Sequence, residues 1–180
     1  MSEPARAGLI TVVGGESTGK STLAAALGDL LPAAVVTEFL RDWVVTRGRV
    51  PLPAEQAAVM AGHRAAEVSA LQRADRTGQP WVVSDSGPLM TAVYSLQYYD
   101  DAALLPQALE WTTQSDTVVW CQDDFPWQPD PQRDGAHARA VSQQILAAIF
   151  AEHPELPVLV VAGTFAERIA VVLSAVTSRR

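Results

Sequence analysis

The sequence predicts an α/β fold: a parallel five-stranded sheet covered on both faces by helices, a three-layer sandwich. Three observations carry that reading. Five short, apolar, β-branched runs recur along the chain, and segments with helical spacing separate most of them. The first run leads directly into a glycine-rich turn followed by strong helix formers. Strands that alternate with helices run parallel, because each crossover lays its helix on a face of the sheet.

The elements follow in order. Residues 9–13 read as the first strand and residues 22–27 as the start of a packed helix. Residues 33–37 form a second strand. Residues 54–77 are alanine-rich with apolar positions at helical spacing, entered after Pro53 and left at Gly78. Residues 81–84 give a third strand that ends at Asp85. Helices are expected over 88–99 and 101–114, a fourth strand over 117–121, a fifth over 158–161, and a closing amphipathic helix over 165–176.

One segment departs from this rhythm. Residues 122–136 hold three prolines and four aspartates, too polar and too proline-rich for core structure. Long ordered loops in compact domains are often functional lids, and residues 122–140 are expected to form one after the fourth strand. Phe125 and Trp127 argue against a solvated, disordered insertion.

The 180 residues read as one domain, 1–180, with no internal repeat and no linker. A chain with 48% hydrophobic and 18% charged residues is globular rather than disordered. A net charge of -7 disfavours a nucleic-acid partner, which normally meets a basic face. Cys121 is the single cysteine, so no internal disulfide is possible and a cytoplasmic setting is expected. The opening Met-Ser-Glu-Pro lacks the basic and apolar regions of a secretory signal, and the longest apolar runs are too short to span a bilayer; no membrane partner is expected.

The chemistry begins at Gly14-Gly15-Glu16-Ser17-Thr18-Gly19-Lys20-Ser21-Thr22, a complete P-loop pattern between a strand and a helix. Glycines let the backbone curl around phosphates, and the helix N-terminus adds partial positive charge. Gly14, Glu16, Ser17, Thr18, Gly19, Lys20, Ser21 and Thr22 are therefore expected to cradle a nucleoside triphosphate. Lys20 is placed to reach the β- and γ-phosphates and Ser21 to ligate Mg²⁺.

Ligands in such sheets bind beyond the carboxyl ends of the strands, where two acidic residues stand. Asp85 resembles the carboxylate that binds Mg²⁺ through water or accepts a proton; the alternative is a helix N-cap. Glu38 either accepts the proton of an attacking hydroxyl or holds that hydroxyl in line. Arg41, three residues on, either pairs with Glu38 at the surface or clamps substrate. Arg133 and Arg139, near the end of the proline-rich stretch, are candidate lid cations over the transferring phosphoryl group. Trp127 offers an aromatic face for a flat ring. His63 and His137 read as packed or solvent-facing rather than catalytic.

Together, the P-loop, Glu38-Phe39-Leu40-Arg41-Asp42-Trp43, Asp85-Ser86 and Asp124-Phe125-Pro126-Trp127-Gln128-Pro129-Asp130-Pro131-Gln132-Arg133 resemble the ribosylnicotinamide kinase domain of a bifunctional bacterial NAD-biosynthesis family, within the P-loop, AAA-like ATPase and kinase proteins. The resemblance covers essentially the whole chain. It implies phosphorylation of the 5′-hydroxyl of nicotinamide riboside by ATP with Mg²⁺. It implies that Glu38 and Arg41 face the riboside, that Trp127 and Asp130 hold its ring and ribose, and that Arg133 and Arg139 are lid arginines. The chain departs from the family at Gly87, where a second carboxylate is usual, and at Pro131, where a glycine is usual. A kinase of another nucleoside or small metabolite, or a regulatory ATPase switch, are the alternative functions.

Overall fold

The computed structural model describes residues 6–126 and 136–178. Trp127, Asp130 and Arg133 lie outside the described residues.

Five strands, β1 (Gly8–Val13), β2 (Ala33–Val36), β3 (Trp81–Asp85), β4 (Thr117–Cys121) and β5 (Val158–Val161), pair in parallel in the order β2-β3-β1-β4-β5. β1 and β3 are buried along their whole length, which is why they read as unbroken apolar runs rather than alternating ones. The outer strands are only partly covered: Val35 of β2 and Val160 of β5 are exposed.

The sheet is sandwiched by α1 (Lys20–Leu30) and α7 (Phe165–Thr177) on one face, and by α3 (Gln56–Thr77), α4 (Gly87–Tyr99), α5 (Leu105–Thr112) and α6 (Ala136–Glu152) on the other. Alternation along β1 sorts its side chains between these layers. Ile10 and Val12 pack with Leu23 and Leu27 of α1 and Val172 of α7, whereas Val13 joins Leu89 and Val93 of α4 and Leu146 of α6. Each half of the core is built from side chains of this size, whose burial is worth about 1.5–3 kcal/mol apiece.

The predicted strands and the α1, α3, α4, α5 and α7 segments are present, with ends displaced by a few residues. α5 is the most shortened, starting at Leu105 with a proline in its first turn. Two helices were not legible. α2 (Phe39–Arg47) buries no residue fully; its short stripe of Phe39, Leu40, Trp43 and Val44 is only half-buried and interrupted by charged residues. α6 begins inside the span read as a lid, so residues 136–140 are its first turn rather than irregular chain. Its helical pattern lies directly behind the proline-rich run, whose composition masks the helix start. Among the described residues no helix is long and apolar enough to cross a membrane.

Candidate functional site

The site lies where the carboxyl ends of β1, β2 and β3 meet the N-termini of α1, α2 and α4. After Val13 the chain turns through backbone angles that L side chains rarely adopt. Gly14, Ser17 and Gly19 all have positive φ, and Gly19 is the left-handed residue from which α1 departs. A side chain at Gly14 would lie 2.7 Å from the Thr18 hydroxyl, and one at Gly19 would press on the Phe125 ring. The loop is also held from within and behind. Thr18 Oγ1 donates to Gly15 O at 2.8 Å, and Gln143 Oε1 on α6 accepts from Gly15 N at 3.2 Å. Gln143 is itself fixed by Trp120 Nε1 and by Cys121 O.

Lys20, at the first turn of α1, is buried at 7% exposure. Burial opposes its charge, but Tyr94, Glu38, Asp85 and Cys121 outweigh this and hold the ammonium above its ordinary pKa. Burial likewise raises the Tyr94 phenol, which stays neutral, so Glu38 and Asp85 are the working counter-charges. Asp85 ends β3 and accepts a hydrogen bond from Ser21; burial raises its pKa, while Lys20 and Ser21 pull it back. It does not cap α4, whose N-cap is Ser86 with no side-chain capping bond. Ser21 and Asp85 thus form an adjacent oxygen pair of the hard donor type that Mg²⁺ favours. Among the described residues no cluster of three or more His, Cys, Asp or Glu gathers elsewhere for a metal.

Glu38 occupies the N-cap of α2 but makes no capping bond, which leaves its carboxylate turned to other partners. Oε1 accepts from Ser86 Oγ at 3.2 Å, and Oε2 lies 3.7 Å from Arg41 Nε. The Glu38–Arg41 pair therefore exists; with Arg41 half exposed it contributes little stability by itself. Ser86 carries a positive φ of 75°, a strained conformation for a non-glycine residue at a site. The next residue has no room for a side chain: Gly87 has φ 59°, and a Cβ there would lie 2.6 Å from Thr11 Cγ2 on β1.

A cavity of about 750 Å³ joins these groups. Residues 16–22 of the loop line it together with Glu38 and Arg41. Leu40, Val44, Val50, Pro51, Tyr94 and Tyr98 add apolar and aromatic wall, with Arg49 and Gln56 among them. Tyr94 and Tyr98, one turn apart on α4, have ring centroids 6.2 Å apart. Arg139 sits elsewhere: on α6, beside Gly15, its Nη1 donates to Phe125 O at 2.9 Å. His137 is exposed, as read from sequence, and His63 is buried.

Sequence reasoning missed Tyr94, Gln143 and Arg168. Arg168 on α7 is 1% exposed; Nη1 donates to Thr18 O at 3.0 Å, Nη2 to Gln122 O at 3.2 Å, and Nε to Gly163 O at 3.1 Å. It pairs with Asp124, and the Phe125 ring stacks 4.1 Å from its guanidinium carbon. The one available signal was an arginine inside the otherwise apolar pattern of the last helix. Arg168→Ala strips a charged donor from three carbonyls, while Asp124, 39% exposed, can turn to water. The expected loss is about 3 kcal/mol, read as a lower denaturant midpoint at unchanged slope.

Fold and site define a parallel α/β domain with a phosphate-binding loop. A family model described as an AAA domain matches residues 9–168, and the chain belongs to that family. Sequence comparison with curated proteins gives no match. Among solved structures, the chain is similar to the NadR protein in complex with NR (TM-score 0.76, 20% identity) and to the NadR protein in complex with NAD and AMP-PNP (TM-score 0.73, 20% identity). Each comparison covers 93% of this chain and 49% of the other, so the chain spans about half the length of those relatives. It is also similar to thymidylate kinase from Ehrlichia chaffeensis, at TM-score 0.71 and 14% identity, over 96% of this chain and 100% of that one. At these identities the likeness is one of fold, and it agrees with the three-layer P-loop architecture expected from the sequence.

Proposed function

We propose that the chain is an ATP-dependent small-molecule kinase that transfers the γ-phosphoryl group to a hydroxyl of a nucleoside-like acceptor, with nicotinamide riboside the first candidate. The observation that carries this reading is a single cavity in which the phosphate loop, Glu38 and a tyrosine-lined recess face one another. A hydrolytic site needs room only for water, whereas this recess suits a flat, partly apolar molecule placed beside the phosphate end. The solved NadR structure with NR supports the acceptor class, and the thymidylate kinase supports phosphoryl transfer to a small molecule.

In this mechanism the loop from Gly14 to Thr22 holds the triphosphate, and Lys20 offsets charge that develops on the transferring group. Ser21 and Asp85 would hold Mg²⁺, which would supply Lewis-acid stabilisation of the phosphates. Glu38, fixed by Ser86 and flanked by Arg41, orients the acceptor hydroxyl and takes its proton. Arg133 is assigned to the lid, and Trp127 with Asp130 to the acceptor ring and ribose, by the resemblance of their motif, whereas Arg139 stands on α6 beside the phosphate loop.

The test is ADP release with ATP and Mg²⁺ across a panel of nucleosides, against a control without acceptor. Release is expected to depend on acceptor and to be strongest with nicotinamide riboside. A different best nucleoside would replace the acceptor and keep the reaction. Equal release in every tube would replace the kinase with an ATPase.

A further inference from the structure

The residue that aims Glu38 is not on its own helix. Glu38 immediately precedes Phe39, the first residue of α2, and the amides of a helix's first turn have no partner within the helix. An N-cap side chain commonly serves the second or third amide of its helix and leaves the first to other partners; Glu38 makes no capping bond. The Phe39 amide, the first of α2, donates to His63 Nδ1 on α3 at 3.4 Å. If Nδ1 accepts, the neutral ring carries its proton on Nε2. That proton is directed to Ser84 Oγ at 2.9 Å, and Ser84 donates to Glu67 Oε1 at 2.7 Å. Glu67 is held in turn by Arg64 Nη1 at 3.1 Å. Donation runs one way from the Phe39 amide through His63 and Ser84 to Glu67, the buried carboxylate on which Arg64 also converges.

Burial lowers the His63 pKa to about 4, against an opposing pull from Glu38, so the ring remains neutral and able to accept. A second contact fastens the same residue. The Phe39 ring lies where a side chain at Gly62 would be, with Cζ 2.4 Å from that position. Gly62 is the sole glycine within the 22-residue α3, in an alanine-rich stretch where alanine would favour the helix by about 1 kcal/mol. That helix forgoes propensity at the one point where the neighbouring aromatic ring needs the space.

We propose that His63 is a positioning residue for phosphoryl transfer: with Gly62 it clamps the first residue of α2, and so fixes the adjoining Glu38 carboxylate against the acceptor. This rests on Glu38 facing the acceptor, and its test separates the two ideas by replacing each ring nitrogen in turn. In His63→Asn the side-chain oxygen stands as many bonds from Cα as Nδ1, so the Phe39 amide keeps an acceptor and Ser84 loses its partner. In His63→Gln the polar end stands where Nε2 was, so Ser84 keeps a partner and Phe39 does not.

The clamp predicts that His63→Gln loses about tenfold or more in acceptor-dependent kcat with the KM for ATP unchanged. His63→Asn should stay close to the parent, although it breaks the more deeply buried link. Hydrogen exchange at the Phe39 amide needs no acceptor and should be slow in the parent and His63→Asn, and fast in His63→Gln. The imidazole nitrogen shifts of the parent should report protonated Nε2 and bare Nδ1. A ring protonated at Nδ1, or the same Phe39 exchange in all three proteins, overturns the clamp. Slow exchange in His63→Asn and fast exchange in His63→Gln with equal kcat overturns the positioning role. A parent that phosphorylates no nucleoside overturns the kinase reading, while exchange and nitrogen shifts still decide the clamp.

Discussion

Lys20→Ala removes phosphoryl transfer while leaving a folded protein. The ammonium is buried at the first turn of α1, and Glu38 and Asp85 raise its pKa, so it carries full charge at any working pH. Amides of the surrounding loop supply only partial charge and cannot follow the negative charge that builds as the phosphoryl group transfers. A cation at this point is worth about 10³-fold or more in rate, by analogy with cations supplied elsewhere to such transition states. The fold should survive, because β1 and α1 are held by Ile10, Val12, Leu23 and Leu27 rather than by the lysine. Single-turnover transfer and thermal unfolding, measured on parent and variant, check both halves. Transfer near the parent rate would contradict the role given to the loop.

Glu38→Gln should keep nucleotide affinity and lose transfer. The loop, Ser21 and Asp85 remain, and the amide oxygen can still accept from Ser86 Oγ, as Oε1 does at 3.2 Å. The amide cannot take a proton, and general-base assistance is typically worth about 10²–10⁴-fold. The expected pattern is an unchanged Kd for ATP–Mg²⁺, a kcat lower by that factor, and little change in hydrolysis without acceptor. A variant that loses nucleotide binding in proportion would place Glu38 among the phosphate ligands instead.

What the sequence made legible follows from where the information lies. The P-loop is contiguous, and its flanks, Val12-Val13 and Leu23-Ala24, carry strand and helix signals of their own, so loop, strand and helix could be read together. The same held for Asp85, which ends an apolar run. Glu38 and Arg41 could be singled out, but not the extent of the helix they begin, since α2 is short and its apolar side chains are only half-buried. Three supports escaped because they act across long stretches of chain. Gln143 reaches Gly15 across 128 residues, Arg168 reaches Thr18 across 150, and His63 reaches Phe39 across 24. Each looks local in sequence: a polar residue on a helix, an arginine in a terminal helix, a histidine among alanines. Gly62 was visible as an exception in an alanine-rich helix, yet only the Phe39 ring explains it. That Gly87 departs from the resembled motif was legible, and that Thr11 leaves no room there for a side chain was not.

The central claim is that the γ-phosphoryl group goes to a bound small molecule rather than to water. It is tested most directly by following γ-labelled ATP with Mg²⁺ and nicotinamide riboside, and partitioning the label between the nucleoside and inorganic phosphate. The cavity and Glu38 predict label on the 5′-oxygen of the riboside, with free phosphate near the acceptor-free background. Label found in free phosphate at the same brisk rate with and without any nucleoside, and lost on Glu38→Gln, would contradict the account and make this site a water-activating ATPase.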